Sequence, residues 1–120
     1  MEHETAVTRL AALGQTHRLN LFRKLMRAGP SGMAAGELAR SCSLQPSAFT
    51  FHINQLEQSG LVTSWRRGRN IFYAVAIEET RRLMVHLTED CCDGHPDICG
   101  GLSKAIADCS AQGSDCEVTE

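Results

Sequence analysis

The hydrophobic period of this chain changes once, at Gly60, and that change limits the fold more than any other feature. Before Gly60 the apolar residues recur three and four positions apart, as on one face of a helix. After it, LVTSWRRGRNIFYAVA alternates over two runs, 61–65 and 70–76, around Arg66-Arg67-Gly68-Arg69. Alternation on both sides of a glycine-bearing turn predicts a β-hairpin.

The helical part divides at its breakers. Val7, Leu10 and Leu13 predict a helix over 5–13. Leu19, Phe22, Leu25 and Met26 predict a second over 16–28, with Thr16 as N-cap. Gly29-Pro30-Ser31-Gly32 interrupts the chain. A short helix near 34–41 buries Leu38, and Cys42 reads as a small core filler. A further helix starts between Gln45 and Ser47 and reaches Gln58, with Phe49, Ile53 and Leu56 inward. Ser59-Gly60 closes it, glycine suiting a left-handed cap. Residues 78–89 are helical again, with Leu83, His86 and Leu87 on one side. The expected order is α-α-α-α-β-β-α, mostly α with a β-hairpin wing. That is a winged helix-turn-helix, here expected as a homodimer. Residues 1–90 form its DNA-binding and dimerisation domain, and 91–120 a Cys-rich acidic segment and tail.

Charge agrees with a polyanionic partner. Residues 1–88 carry 11 Lys or Arg against 6 Asp or Glu, whereas 89–120 carry one Lys against 8 acids. A basic body with an acidic tail suits double-stranded DNA, although a solvated surface would have the same composition. No apolar run approaches the ~20 residues of a membrane span. The polar start, Glu2-His3-Glu4, is unlike a secretory signal. These features predict a cytoplasmic protein without a membrane partner, in a compartment where its 6 cysteines stay reduced.

Reading bases in the major groove requires short hydrogen-bonding side chains on a helix. Gln45, Ser47, Thr50 and Asn54 meet that need on the outward side of the fourth helix, with Ala48 and Phe51 beside them. Phe51 would suit a thymine methyl. Arg66, Arg67 and Arg69 at the ribbon tip suit phosphates or the minor groove. His52, beside the apolar face, reads as a hydrogen-bonded structural residue rather than a phosphate contact. Arg18 could serve the DNA backbone or a local partner.

ALGQTHRLNLFRKLM, GELARSCSL, QPSAFTFHINQLEQSGLV and WRRGRNIFYAV resemble the ArsR/SmtB family of metal-responsive repressors over roughly 7–88. The most specific part is 50–62: Thr50, His52, an aliphatic, Leu56, then Gly60-Leu61-Val62. The resemblance implies a homodimer built on the first and last helices, repressing inverted-repeat operators. Two ligand sets of that family are absent. Ala39 and Ser41 stand where one site has Cys-x-Cys, and Val75 stands where a zinc site has its first His, though His86 and Glu89 are present.

What remains is TEDCCDGHPDICGG, residues 88–101. Cys91, Cys92 and Cys99 are similar to the adjacent pair and third cysteine of arsenic-responsive members. Arsenic(III), or antimony(III), is soft and takes three thiolates, which selects Cys over carboxylate or imidazole. Gly94 and Pro96 would let a loop fold back and deliver Cys99. Other readings stay open. A zinc- or cadmium-type site could be completed by His95, Asp97, Cys109 or Cys116. A redox pair could form between Cys92 and Cys99, or the thiols could be incidental. An enzyme such as a thiol-dependent arsenate reductase is the alternative of another class. The chain offers it no anion-cradling loop and no nucleophile with a placed base.

Overall fold

A computed structural model describes residues 1–88. The elements run α1 (His3–Leu13), α2 (Thr16–Ala28), a 3₁₀ turn (Gly29–Ser31), β1 (Met33–Ala34), α3 (Ala35–Ser41), α4 (Pro46–Gln58), β2 (Val62–Arg67), β3 (Asn70–Val75) and α5 (Ile77–Thr88). Glu2–Thr80 forms one compact unit, and the part of α5 from Arg81 belongs to a second. The expected helices and hairpin are present, so the winged helix-turn-helix architecture stands.

The core of the Glu2–Thr80 unit comes from four helices and the ribbon. Leu21, Phe22 and Leu25 of α2, Leu38 of α3, and Phe49, Ile53 and Leu56 of α4 are buried together with Leu61, Val62 and Tyr73. Phe49 meets Tyr73 edge to face, ring centres 5.9 Å apart. Burying one such side chain stabilises the fold by ~1.5–3 kcal/mol. Seven aliphatic side chains in this core are essentially inaccessible, which fixes α4 on the inner side of the ribbon. Arg9 of α1 ties three elements: Nε donates to the Ser59 carbonyl at 2.9 Å, and Nη1 to Glu79 at 2.7 Å.

The sheet has one more strand than the sequence suggests. Its order is β1-β3-β2, all antiparallel, with Met33 opposite Tyr73 and Ala34 opposite Phe72. Two residues are too few to show alternation. The signal was instead the pair of glycines around the 3₁₀ turn: Gly29 at φ 76, ψ −162 and Gly32 at φ 69, ψ −164. That region is essentially reserved for glycine. At Gly32 a side chain would also strike the Tyr73 carbonyl, so the strand can approach only without a Cβ.

Three further expectations are corrected, on α2 and at Cys42, whereas α1 leaves apolar residues uncovered as an expected dimer face would. The buried residues of α1 are Ala6 and Ala12, while Val7 and Leu10 are 52% and 41% exposed. Leu19 and Met26 of α2 are exposed, and Leu21 is buried in their place. On α1 the buried positions are small alanines, which apolar spacing alone hides. The N-cap of α2 is Gln15, whose side chain accepts from the Arg18 amide at 2.9 Å, and Thr16 is already helical. Cys42 is half-buried, not core.

Candidate nucleic-acid interface

α4 is built to present one face. Pro46 occupies the first turn, where its missing N–H costs nothing. Gln45 is the N-cap but makes no side-chain capping bond, so its amide is free to reach outward. Gly60, at φ 90, ends the helix in the left-handed conformation and carries the chain into the ribbon. With Phe49, Ile53 and Leu56 buried, Ser47, Phe51 and Asn54 point away from the core at spacings of four and seven. Gln45, Ser47, Thr50, Phe51 and Asn54 are all exposed, and Ala48 is half-buried at the edge of the face. Phe51 is 57% exposed, a large apolar ring amid polar groups. Gln55, four residues beyond Phe51, is exposed on the same side. The expected set omitted it, although that spacing was the available signal.

Behind this face sits a small polar cluster. The His52 ring lies 5.4 Å from that of His17 and 5.2 Å from that of Phe51. Arg18 Nη1 is 3.5 Å from His52 Nδ1, and Arg18 Nε donates to the Ala12 carbonyl at 2.6 Å. Arg18 therefore has a local partner, the end of α1, and serves to join helices. Burial first, then the positive charge of Arg18 and the neighbouring His17, holds the His52 pKa below the usual histidine value. A neutral ring can accept from Arg18 at Nδ1 when its proton sits on Nε2. His52 is thus a half-buried structural residue backing Phe51.

The wing divides its arginines. Arg66 pairs with Ile71 and Arg67 with Asn70, so the two adjacent side chains leave opposite faces of the ribbon. The Arg67 guanidinium lies over Phe72, which in turn stacks on Trp65 at 5.9 Å and 16°. The turn is the two-residue loop Gly68-Arg69, with Gly68 at φ 64 as a tight hairpin demands at that position. Arg69 sits at the tip, and Arg66, Arg67 and Arg69 are all exposed. The structure thus brings the nine expected DNA-facing residues onto two projections of one unit: a helix face and a ribbon tip.

Cys91, Cys92 and Cys99 lie outside the described residues. Among the described residues, no group of three or more His, Cys, Asp or Glu could hold a metal ion. No helix among them is long and apolar enough to cross a membrane.

Comparison with known proteins agrees with this geometry. Residues 13–64 match the family model described as a helix-turn-helix domain. The chain is 30% identical over 89 residues to the HTH-type transcriptional regulator YgaV of Escherichia coli, covering 74% of this chain and 88% of that protein. Among solved structures it is similar to HlyU from Vibrio cholerae, with a TM-score of 0.60 and 26% identity over 78% of this chain and 100% of the other. The fold is shared with Mb0332 from Mycobacterium bovis, a homodimeric winged helix-turn-helix DNA-binding domain described as a possible ArsR-family transcriptional regulator. There the TM-score is 0.59 and the identity 21%, over 77% of this chain and 85% of the other. The match to an HTH-type transcriptional regulator makes this chain a regulator of that class rather than an enzyme. The chain belongs to the helix-turn-helix transcriptional regulators.

Proposed function

We propose that the protein is a dimeric repressor of the ArsR/SmtB type that leaves its operator when arsenic(III) or antimony(III) binds Cys91, Cys92 and Cys99. The DNA half rests on one observation above all. The outward face of α4 holds short polar side chains around an exposed Phe51, next to a wing tipped with three arginines. The inducer half rests on the sequence Cys91-Cys92-x6-Cys99, whose three soft ligands suit a pyramidal metalloid.

Dimerisation is supported by apolar surface left uncovered in the single chain. Val7 and Leu10 of α1, and Met84 and Leu87 of α5, are exposed. A two-fold dimer would bury such faces and set two α4 helices about one DNA turn apart, or a multiple of it. Mb0332, which shares the fold, is homodimeric.

The test is release from the protein's own promoter DNA by arsenite, antimonite, zinc and cadmium in competition. Release by the two metalloids at lower concentration than by the two metals is expected. Release by zinc or cadmium alone would convert the site to a zinc-type one. Release only by an oxidant would make it a thiol switch.

A further inference from the structure

One cavity among the described residues lies away from the α4 face, between α2 and the turn that joins α3 to α4. It measures about 240 Å³. From α2 it is lined by Asn20, Arg23, Lys24 and Arg27, and from the turn by Ser41, Cys42 and Ser43. The α2 residues fall at spacings of three, four and seven, so they occupy one helix face. Three of the four are cations, and no acid lines the cavity. None of Arg23, Lys24 and Arg27 makes a hydrogen bond or ion pair with another described side chain. Three like charges gathered in a concavity repel one another unless an anion joins them. Ser43 adopts φ 55 in the turn, and the Ser41 hydroxyl donates its proton to the Leu38 carbonyl, so the charge lining the cavity comes from the three cations.

The location selects the anion. Ser43 stands three residues before Pro46, the first residue of α4. Three residues span at most about 11 Å of extended chain. The cavity therefore flanks the end of α4 that enters the major groove. The strands bordering that groove carry a phosphate at every nucleotide, close to the entering helix. We propose that this cleft is a second seat for the DNA backbone, in which Arg23, Lys24 and Arg27 hold phosphates outside the segment that α4 reads. The inference rests on the DNA-binding reading above and adds a contact surface on α2, distinct from α4 and the wing.

The experiment uses the full chain and its own promoter duplex, with anisotropy measured from 50 to 300 mM salt. It compares the wild type with the triple variant Arg23→Gln, Lys24→Gln, Arg27→Gln, after circular dichroism confirms an unchanged fold. Each neutralised phosphate contributes about 0.9 to the log–log salt slope, so the triple variant should lose between about two and three units. At 0.15 M salt that corresponds to an affinity loss of up to about a hundredfold, equal for operator and non-operator duplexes. A duplex trimmed to the base-read half-sites should weaken wild-type binding but not that of the triple variant. Failure of the wild type to bind any duplex would defeat the DNA-binding reading itself. If the wild type binds and the triple variant keeps its slope, the cleft alone is overturned. A reduced slope with undiminished sensitivity to trimming also overturns it, since the cations would then act as diffuse charge. So does an unchanged slope with inorganic phosphate protecting Cys42 from alkylation, which would mark a small-anion site.

Discussion

The Arg67 guanidinium lies 5.6 Å from the centre of the Phe72 ring, on the strand paired with its own. Trp65 stacks on the same ring, so the three side chains form a ladder on one ribbon face. A guanidinium held on an aromatic surface loses less freedom on meeting a phosphate than one waving in solvent. Arg66, on the opposite face, has no such platform.

That ladder separates charge from positioning. Phe72→Leu removes the platform and leaves the charge. A cation–π contact at an exposed site is worth ~0.5–1 kcal/mol, so DNA affinity should fall about two- to fivefold with the salt slope unchanged. Arg67→Ala should instead lower the slope by about one unit, equally for all sequences. Anisotropy titrations at several salt concentrations distinguish the two. A slope change in Phe72→Leu would refute the division.

The exposed polar face of α4 should govern sequence choice. Asn54→Ala and Thr50→Val should reduce discrimination at individual base pairs by up to ~1–3 kcal/mol while sparing non-specific binding. Binding to a library of single-base operator variants checks this. Uniform weakening across the library would place these side chains on the backbone instead.

Stability should respond unequally at two glycines. Gly29 and Gly32 share the same backbone region, yet only Gly32 is crowded, by the Tyr73 carbonyl and the Trp65 ring. Gly29→Ala should cost ~1–3 kcal/mol for the backbone conformation alone. Gly32→Ala should cost more, because β1 must also move off β3. Urea denaturation of both variants measures the difference, and equal losses would show that β1 contributes nothing to the fold.

Acid should weaken the fold through His52. Its folded pKa lies below the ordinary histidine value of 6.5, held there by burial and by Arg18 and His17. Above pH ~6.5 the ring is neutral folded or unfolded, so the full stability is present. As pH falls below that value the unfolded chain takes up the proton first, and stability declines through the folded pKa. Replacing His52 with Gln should flatten this decline between pH 7 and 5 in chemical denaturation. A decline as steep in His52→Gln as in the wild type would assign the effect elsewhere.

The order of helices and ribbon was readable because each element carried its own period and its own stop, as at Gly60. The outward face of α4 was readable for the same reason, since Phe49, Ile53 and Leu56 fix what faces away. What escaped the sequence was contact between elements. The pairing of Met33 with Tyr73 is set by residues distant in sequence, and the burial of Ala6 rather than Val7 on α1 depends on which elements pack against that helix. The cleft beside α2 was hidden in the same way: its cations and the turn residues are far apart in sequence and adjacent only after folding.

In the proposed repressor, three cysteines sense a metalloid and thereby loosen DNA. Fluorescence anisotropy of labelled operator DNA, titrated with arsenite, tests it most directly. The coupling should lower operator affinity about 5- to 150-fold, and operator DNA should weaken arsenite binding by the same factor. Cys91→Ser, Cys92→Ser and Cys99→Ser should each bind DNA as the wild type does and fail to respond, because oxygen is a poor ligand for so soft an ion. Cys109→Ser and Cys116→Ser should respond nearly as the wild type. A full response from Cys99→Ser, or a lost response in Cys109→Ser or Cys116→Ser, would contradict the proposed triad.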